Sequence, residues 1–190
     1  MKNSLLILFF SVIALLTCLT SCQKDDTSNP PLPDELPPIT QTGEQTFGCL
    51  LNGEVWVPKH YSNSIVNPPV VLQASKWGNI LNVIASRHPK NDDIPKQILG
   101  LYTLVDKIQD TIMFGYDETG TRFLYERDPP KSGGVYKVYK SVENPNSWLY
   151  LLRFDTISRI ASGTFSFDLL NTDNNLDTVR IREGRFDVRF

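Results

Sequence analysis

From Phe47 onward, short runs of β-branched and aromatic residues alternate with polar positions, and turn residues interrupt them about every 8 to 15 positions, the punctuation of an all-β chain. The runs predict strands at Gly53 to Val57, Val70 to Lys76, Ile80 to Ser86, Gln97 to Leu104, Thr111 to Tyr116, Arg122 to Glu126, Val135 to Ser141, Trp148 to Phe154, Ala161 to Leu170 and Thr178 to Phe190, with a first apolar run at Phe47 to Leu51. Turns are expected at Gly78-Asn79, Asp117 to Gly120, Asp128 to Gly134, Asn144 to Ser147 and Asn171 to Asn175. Short connections point to antiparallel hairpins, and the lack of helical periods between strands argues against a parallel sheet. The expected fold is an antiparallel β-sandwich or flattened barrel of about nine to eleven strands.

The last two runs change face partway. Phe165, Phe167 and Leu169 share one parity and Ile160 has the other, with Gly163 between them. Val179 and Ile181 are odd, Phe186, Val188 and Phe190 even, with Gly184 between. A one-residue slip flips every side chain, so each glycine is expected to mark a bulge or bend that restores the core face, unless Val179 and Ile181 face a second layer.

The chain begins with Met1-Lys2-Asn3, an apolar stretch from Leu5 to Leu16 broken only by Ser11, and then Leu19-Thr20-Ser21-Cys22. Roughly 12 apolar residues fall short of the about 20 that cross a bilayer, so this is a signal and not a span. The tetrapeptide resembles the bacterial lipobox. That resemblance implies removal of residues 1–21 by lipoprotein-processing machinery and attachment to the membrane through lipid on Cys22, each buried CH₂ adding about 0.8 kcal/mol. Gln23, Lys24, Asp25 and Asp26 follow. Cys-Gln-Lys-Asp-Asp resembles the acidic export signal of Bacteroidetes-type lipoproteins, which implies recognition by export machinery and display on the outer face of the outer membrane; a solvated linker on a periplasm-facing protein is the alternative.

Residues 22–46 read as a disordered tether. Pro30, Pro31, Pro33, Pro37 and Pro38 oppose both helix and ladder, and Leu32, Leu36 and Ile39 are too scattered to offset ordering entropy. About 24 residues at roughly 3.1 Å each would hold a domain as far as about 70 Å from the lipid. Residues 47–190 then form one all-β domain of ordinary size.

The 19 basic and 21 acidic side chains give a formal charge of −2, or −3 once Lys2 leaves with the leader. There is no basic block to follow a phosphate backbone, so nucleic acid is not an expected partner. Cys49 is the one cysteine of the expected mature domain and is assigned to the core.

Thr46 to Trp56, with Asn52-Gly53 and Trp56, together with Gly163-Thr164-Phe165-Ser166-Phe167 and Gly184-Arg185-Phe186-Asp187, resemble an uncharacterised family of Bacteroidetes lipoproteins. Its members open on an Asn-Gly-x-x-Trp hairpin and close on Gly-Thr-Phe-x-Phe and Gly-x-Phe-Asp strands. The family has no established activity, so the resemblance implies no catalytic residue.

Motifs for chemistry are sparse. His60 and His88 are the only imidazoles and read as solvated loop residues beside Pro58 and Pro89. No serine elbow, phosphate loop or zincin helix occurs, and Asp92-Asp93 reads as a turn. Asp173, Asn175 and Asp177 have the oxygen spacing of half a calcium loop, but lack its glycine and its bidentate glutamate, and the same stretch suits a hairpin turn. Thr111, Thr156 and Thr178 each follow an Asp and precede an apolar residue, resembling the Bacteroidetes-type O-glycosylation acceptor, although a turn-to-strand junction has the same composition. No cofactor is expected.

The expectation is a lipid-anchored, non-enzymatic module that binds an extracellular ligand or envelope partner; the alternative is a lipocalin-like carrier of a small apolar molecule. Inward aromatics around a cavity would favour the carrier, and aromatics on an outer sheet face the module.

Overall fold

A computed structural model describes residues 35–60, 71–88, 95–105, 111–113, 122–129 and 133–190. The leader, Cys22 and the Gln23 to Asp26 stretch lie outside the described residues, as do Asp92-Asp93, the turn expected at Asp117 to Gly120 and the side chain of Thr111. Among the described residues there is no helix. The described residues form twelve strands: β1 (Thr46–Leu51), β2 (Glu54–Trp56), β3 (Lys59–His60), β4 (Leu72–Trp77), β5 (Ile80–His88), β6 (Gln97–Leu104), β7 (Thr111–Met113), β8 (Arg122–Arg127), β9 (Lys137–Ser141), β10 (Trp148–Asp155), β11 (Ile160–Asn171) and β12 (Thr178–Arg189).

The all-β, barrel-like architecture read from the alternation is what forms. A single sheet runs β2-β1-β12-β11-β9-β8-β6-β5-β3 and curls strongly into a half-barrel. Strand β11 shares one edge with β12, and its other edge with β10 and then β9; β10 also carries β7, and β5 carries β4. Every pair is antiparallel except β3 with β5. That exception corrects the purely antiparallel expectation. Only Val57 and Pro58 separate β2, at one end of the strand order, from β3, at the other. Pro58, which has no amide donor, stands in the link before β3.

Period-2 alternation supplies the interior. Leu81, Val83 and Ala85 of β5, Leu99 and Leu101 of β6, and Leu149 and Leu151 of β10 point inward and are fully buried. Between the arms lies an aromatic cluster: Phe123 stacks on Phe167 at 4.5 Å between centroids, Phe165 sits 5.3 Å from Phe123 and 5.4 Å from Phe47, and Trp56 meets Phe47 edge-on at 6.0 Å. Each such ring contributes about 1.5–3 kcal/mol by leaving water. The Trp56 indole N–H donates to Gln97 Oε1 at 2.6 Å, tying β2 to β6 across the interior. Cys49 is buried as expected, and burial pushes its thiol far above the usual range, leaving it inert.

The two glycines of the closing strands do different things. Register breaks in β12 against both neighbours at one place, opposite Gly48/Leu50 of β1 and Phe165/Phe167 of β11. The extra residue falls at Arg182–Glu183, and Glu183 takes a left-handed φ of 51°. This bulge lets Val179 and Ile181 before it, and Phe186 and Val188 after it, all face the same core.

Gly163 marks no bulge in its own strand, contrary to expectation. β11 pairs with β12 without a break from Ile160 to Phe165, and the shift lies in the facing strand, between Leu151 and Arg153 of β10. Ile160 stays on the other face. What Gly163 provides is close approach: it pairs with Phe186, as Phe165 pairs with Gly184. A Cβ on Gly163 would lie 2.6 Å from the Tyr150 carbonyl oxygen and 2.9 Å from the Phe186 ring, and one on Gly184 would overlap the Phe165 ring. Each strand thus lays a phenylalanine over the other's glycine.

The ordered domain begins earlier than Phe47. The end of the expected tether crosses the outer face of β12, where the Asp187 carboxylate, 1% exposed, accepts from Thr40 Oγ1 at 2.7 Å and from the amides of Thr42, Gly43 and Glu44 at 3.0, 2.8 and 3.2 Å. Arg189 donates to the carbonyls of Thr42 and Gly43, Arg153 to that of Gln41 and Arg185 to that of Pro37. Side chains of the last strands therefore replace the ladder that a proline-rich segment cannot make. Burial by itself pushes Asp187 up, but the bonds from Thr40 and the three amides outweigh it and hold the carboxyl below the usual range.

Candidate functional site

Trp148 and Tyr150 of β10, before its register shift, and the even positions of β11 face away from the core, opposite the buried Leu149, Leu151, Phe165 and Phe167. Trp148 lies beside Ser166, Tyr150 beside Thr164, and Thr164 beside Arg185 of β12. Two features turn this patch into a groove of about 640 Å³. The docked N-terminal segment raises one wall, carrying Ile39, and the turn before β10 raises the other with Pro145 and Asn146. Trp148, Thr164 and Ser166 line it between those walls, and the bulge gathers Arg182, Glu183 and Arg185 along it.

Its polar groups are held in place. Arg182 donates to the carbonyls of Phe167 and Ile181 at 2.9 and 2.8 Å and pairs with Asp168 at 2.5 Å. Asp168 also accepts from the side-chain amides of Asn144 and Asn146 at 3.1 and 3.2 Å. Burial pushes its carboxyl up; Arg182 and these two amides pull it below the usual range, so it is ionised at neutral pH and fixes both the arginine and the turn. Arg185 leans back on Glu183, with Nε 3.0 Å from the carbonyl oxygen. Two guanidiniums, one carboxylate, the Thr164 hydroxyl, an amide and an indole can bind a polar ligand in one orientation, while the buried Ser166 hydroxyl donates to the Ile181 carbonyl; they do not form a paired acid and base or an activated nucleophile.

The other residues singled out in the sequence fall elsewhere. Asp173, Asn175 and Asp177 form the β11–β12 turn and do not converge. Asp177 Oδ2 is taken by Lys137 Nζ at 2.7 Å, Tyr139 Oη at 3.0 Å and Asn171 Nδ2 at 3.3 Å, while Asn171 Oδ1 accepts the amides of Asp173 and Asn174. Among the described residues no three His, Cys, Asp or Glu side chains are grouped to hold a metal. Thr156 and Thr178 are exposed in the β10–β11 turn and at the start of β12, and are sterically open to a glycosyl donor. If they are modified, protein from its native host will show a glycan increment in intact mass that Thr156→Ala and Thr178→Ala remove; the unmodified mass would dismiss the idea.

His60 and His88 are not loop residues. They end β3 and β5 in direct register, half-buried, with ring centroids 4.8 Å apart. Burial first, then the charges of Lys96 and His60, hold the His88 imidazole below its usual range against the opposing pull of Asp128.

The sequence alone gives Trp148 and Tyr150 equal parity within their strand but not the face they occupy; burial of Leu149 and Leu151 decides it. The sequence does not reveal the contacts of Asp187 and its arginine neighbours, because their partners lie more than 100 residues away. No family model, no curated protein and no solved structure matches this chain.

Proposed function

We propose that this chain is a lipid-anchored outer-membrane protein, acylated at Cys22 and displayed outside the cell, whose β domain binds saccharide chains without transforming them. The observation that carries the binding role is the outward groove over β10, β11 and β12. An indole beside hydroxyl, amide and guanidinium donors suits a sugar, whose faces are apolar and whose rim is polar. Its partly open shape admits an extended chain.

The carrier alternative needs a cavity inside the curl; where Phe123, Phe165 and Phe167 lie, the rings pack against each other, which favours the binding module. Residues that carry the family resemblance have structural work: Asn52 and Gly53, with φ of 53° and 90°, make the β1–β2 turn, and Gly163, Phe165, Gly184 and Phe186 interlock. Membership of that lipoprotein family, as a proposal, is thus a statement about fold.

Two measurements test the reading. On a glycan microarray the mature protein should bind a defined set of chains, and Trp148→Ala should weaken that binding about 30-fold, the loss expected of a central aromatic contact. A silent array, or binding indifferent to Trp148→Ala, would refute it. For display, protease added to intact cells should cleave the wild type and spare a variant with Lys24, Asp25 and Asp26 changed to Ala; equal protection of both would place the domain in the periplasm.

A further inference from the structure

The chain has two histidines, and the fold brings them together. They stand on adjacent strands in direct register, His60 beside His88, as the outermost pair of the β3–β5 ladder. In β5 the core positions are Leu81, Val83 and Ala85, so His88, on the even parity, faces outward where water can reach it. We propose that His60 and His88 form a two-histidine site for one divalent transition-metal ion of the Cu²⁺, Ni²⁺ or Zn²⁺ class.

The spacing is what such an ion requires. An imidazole nitrogen binds at about 2.0–2.1 Å, which puts the ring centroid about 3.2 Å from the metal; two rings held at about 90–110° then have centroids roughly 4.5–5.2 Å apart. The observed separation is 4.8 Å, and the rings are inclined at 45° rather than stacked. Imidazole is the ligand these ions share, whereas Ca²⁺ and Mg²⁺ prefer oxygen, so the donor pair selects the class. The strand register fixes both backbones, so little reorganisation is needed on binding. Water on the outer face can complete the coordination shell. Of the side chains whose charges act on His88 from neighbouring elements, Lys96 acts more strongly than Asp128, which has the opposite sign.

Bound there, the ion would cross-link β3 to β5. Among the described residues β3 has two residues and ends the strand order, so the ion would add a link at the edge of the sheet.

The test uses the mature protein purified in detergent without an affinity tag, titrated with Cu²⁺ or Zn²⁺ alone. One equivalent should bind, the Cu²⁺ form should show coupling to two nitrogens by electron paramagnetic resonance, and the melting temperature should rise with Zn²⁺. His60→Gln and His88→Gln should each weaken binding at least about tenfold, a loss that even outer partners of a metal site cause. Undiminished binding by the double variant, or no binding by the wild type, overturns the proposal. Should a variant fold poorly, the wild type still decides: Zn²⁺ must shift the imidazole proton resonances of both histidines at one equivalent, and a shift in one or neither refutes the pair.

Discussion

Gly184→Ala is expected to destabilise the domain by about 2–3 kcal/mol in urea unfolding, the upper part of the range for forcing a methyl into a packed core. A Cβ at this position would overlap the Phe165 ring, which is fully buried and has Phe47, Phe123, Phe167 and Phe186 around it. Moving that ring would disturb the whole cluster. Gly163→Ala should cost a similar amount, because one of its close neighbours is the Tyr150 backbone oxygen, which cannot rotate away. The steric origin has its own signature. In a Phe165→Leu background, where the ring is gone, Gly184→Ala should lose most of its penalty, and a double-mutant cycle would show coupling of about 1 kcal/mol or more. Equal penalties in both backgrounds would mean that Gly184 matters for its backbone and not for the space it leaves.

The second large effect belongs to Asp187. Asp187→Asn should cost about 2–4 kcal/mol and free the segment from Pro37 to Gln45. Hydrogen bonds to a charged acceptor are worth about 1.5–3 kcal/mol each, and four donors converge on this carboxylate, but water recovers part of the loss once the segment leaves. Amide exchange reads it directly: Thr42, Gly43 and Glu44 should be protected in the wild type and unprotected in the variant. The same contact carries a pH dependence. Because the folded carboxyl titrates below its unfolded value of about 3.9, its stabilisation is complete above that value and disappears as the pH falls through the folded one. Protection of these amides should therefore hold from pH 7 to pH 5 and collapse only below about pH 4. Release already between pH 7 and pH 5 would show that another group controls the segment.

Docking of this segment also shortens the reach of the domain. With lipid on Cys22, the 13 steps to Glu35, at the start of the described domain, can span at most about 45 Å, not the about 70 Å inferred from composition. It also supplies Ile39 to the groove wall, so Asp187→Asn should weaken glycan binding although Asp187 does not line the groove.

Much of the fold was legible because its signals are local. Alternation with period 2 located β5, β6, β8, β10, β11 and β12 to within a residue or two, since each buries one face and a slip would expose it. The parity change around Gly184 announced a bulge for the same reason, whereas the hairpin at Asn52-Gly53 was implied only by the family resemblance; both residues take positive φ there. A two-residue strand such as β3 is too short to show a period, and its parallel pairing with β5 depends on how far the sheet curls.

What the sequence by itself determined is most of the strands, the turns between them that fall in the described residues and the inward identity of the large apolar side chains, because steric and hydrophobic preferences act between near neighbours. Only the tertiary structure decided which strand carries the bulge near Gly163, that a proline-rich segment docks on Asp187, that His60 meets His88, and that Trp148 lines an outer groove. Each depends on a partner distant in the chain, and such partners are chosen by the curl of the whole sheet rather than by any local pattern.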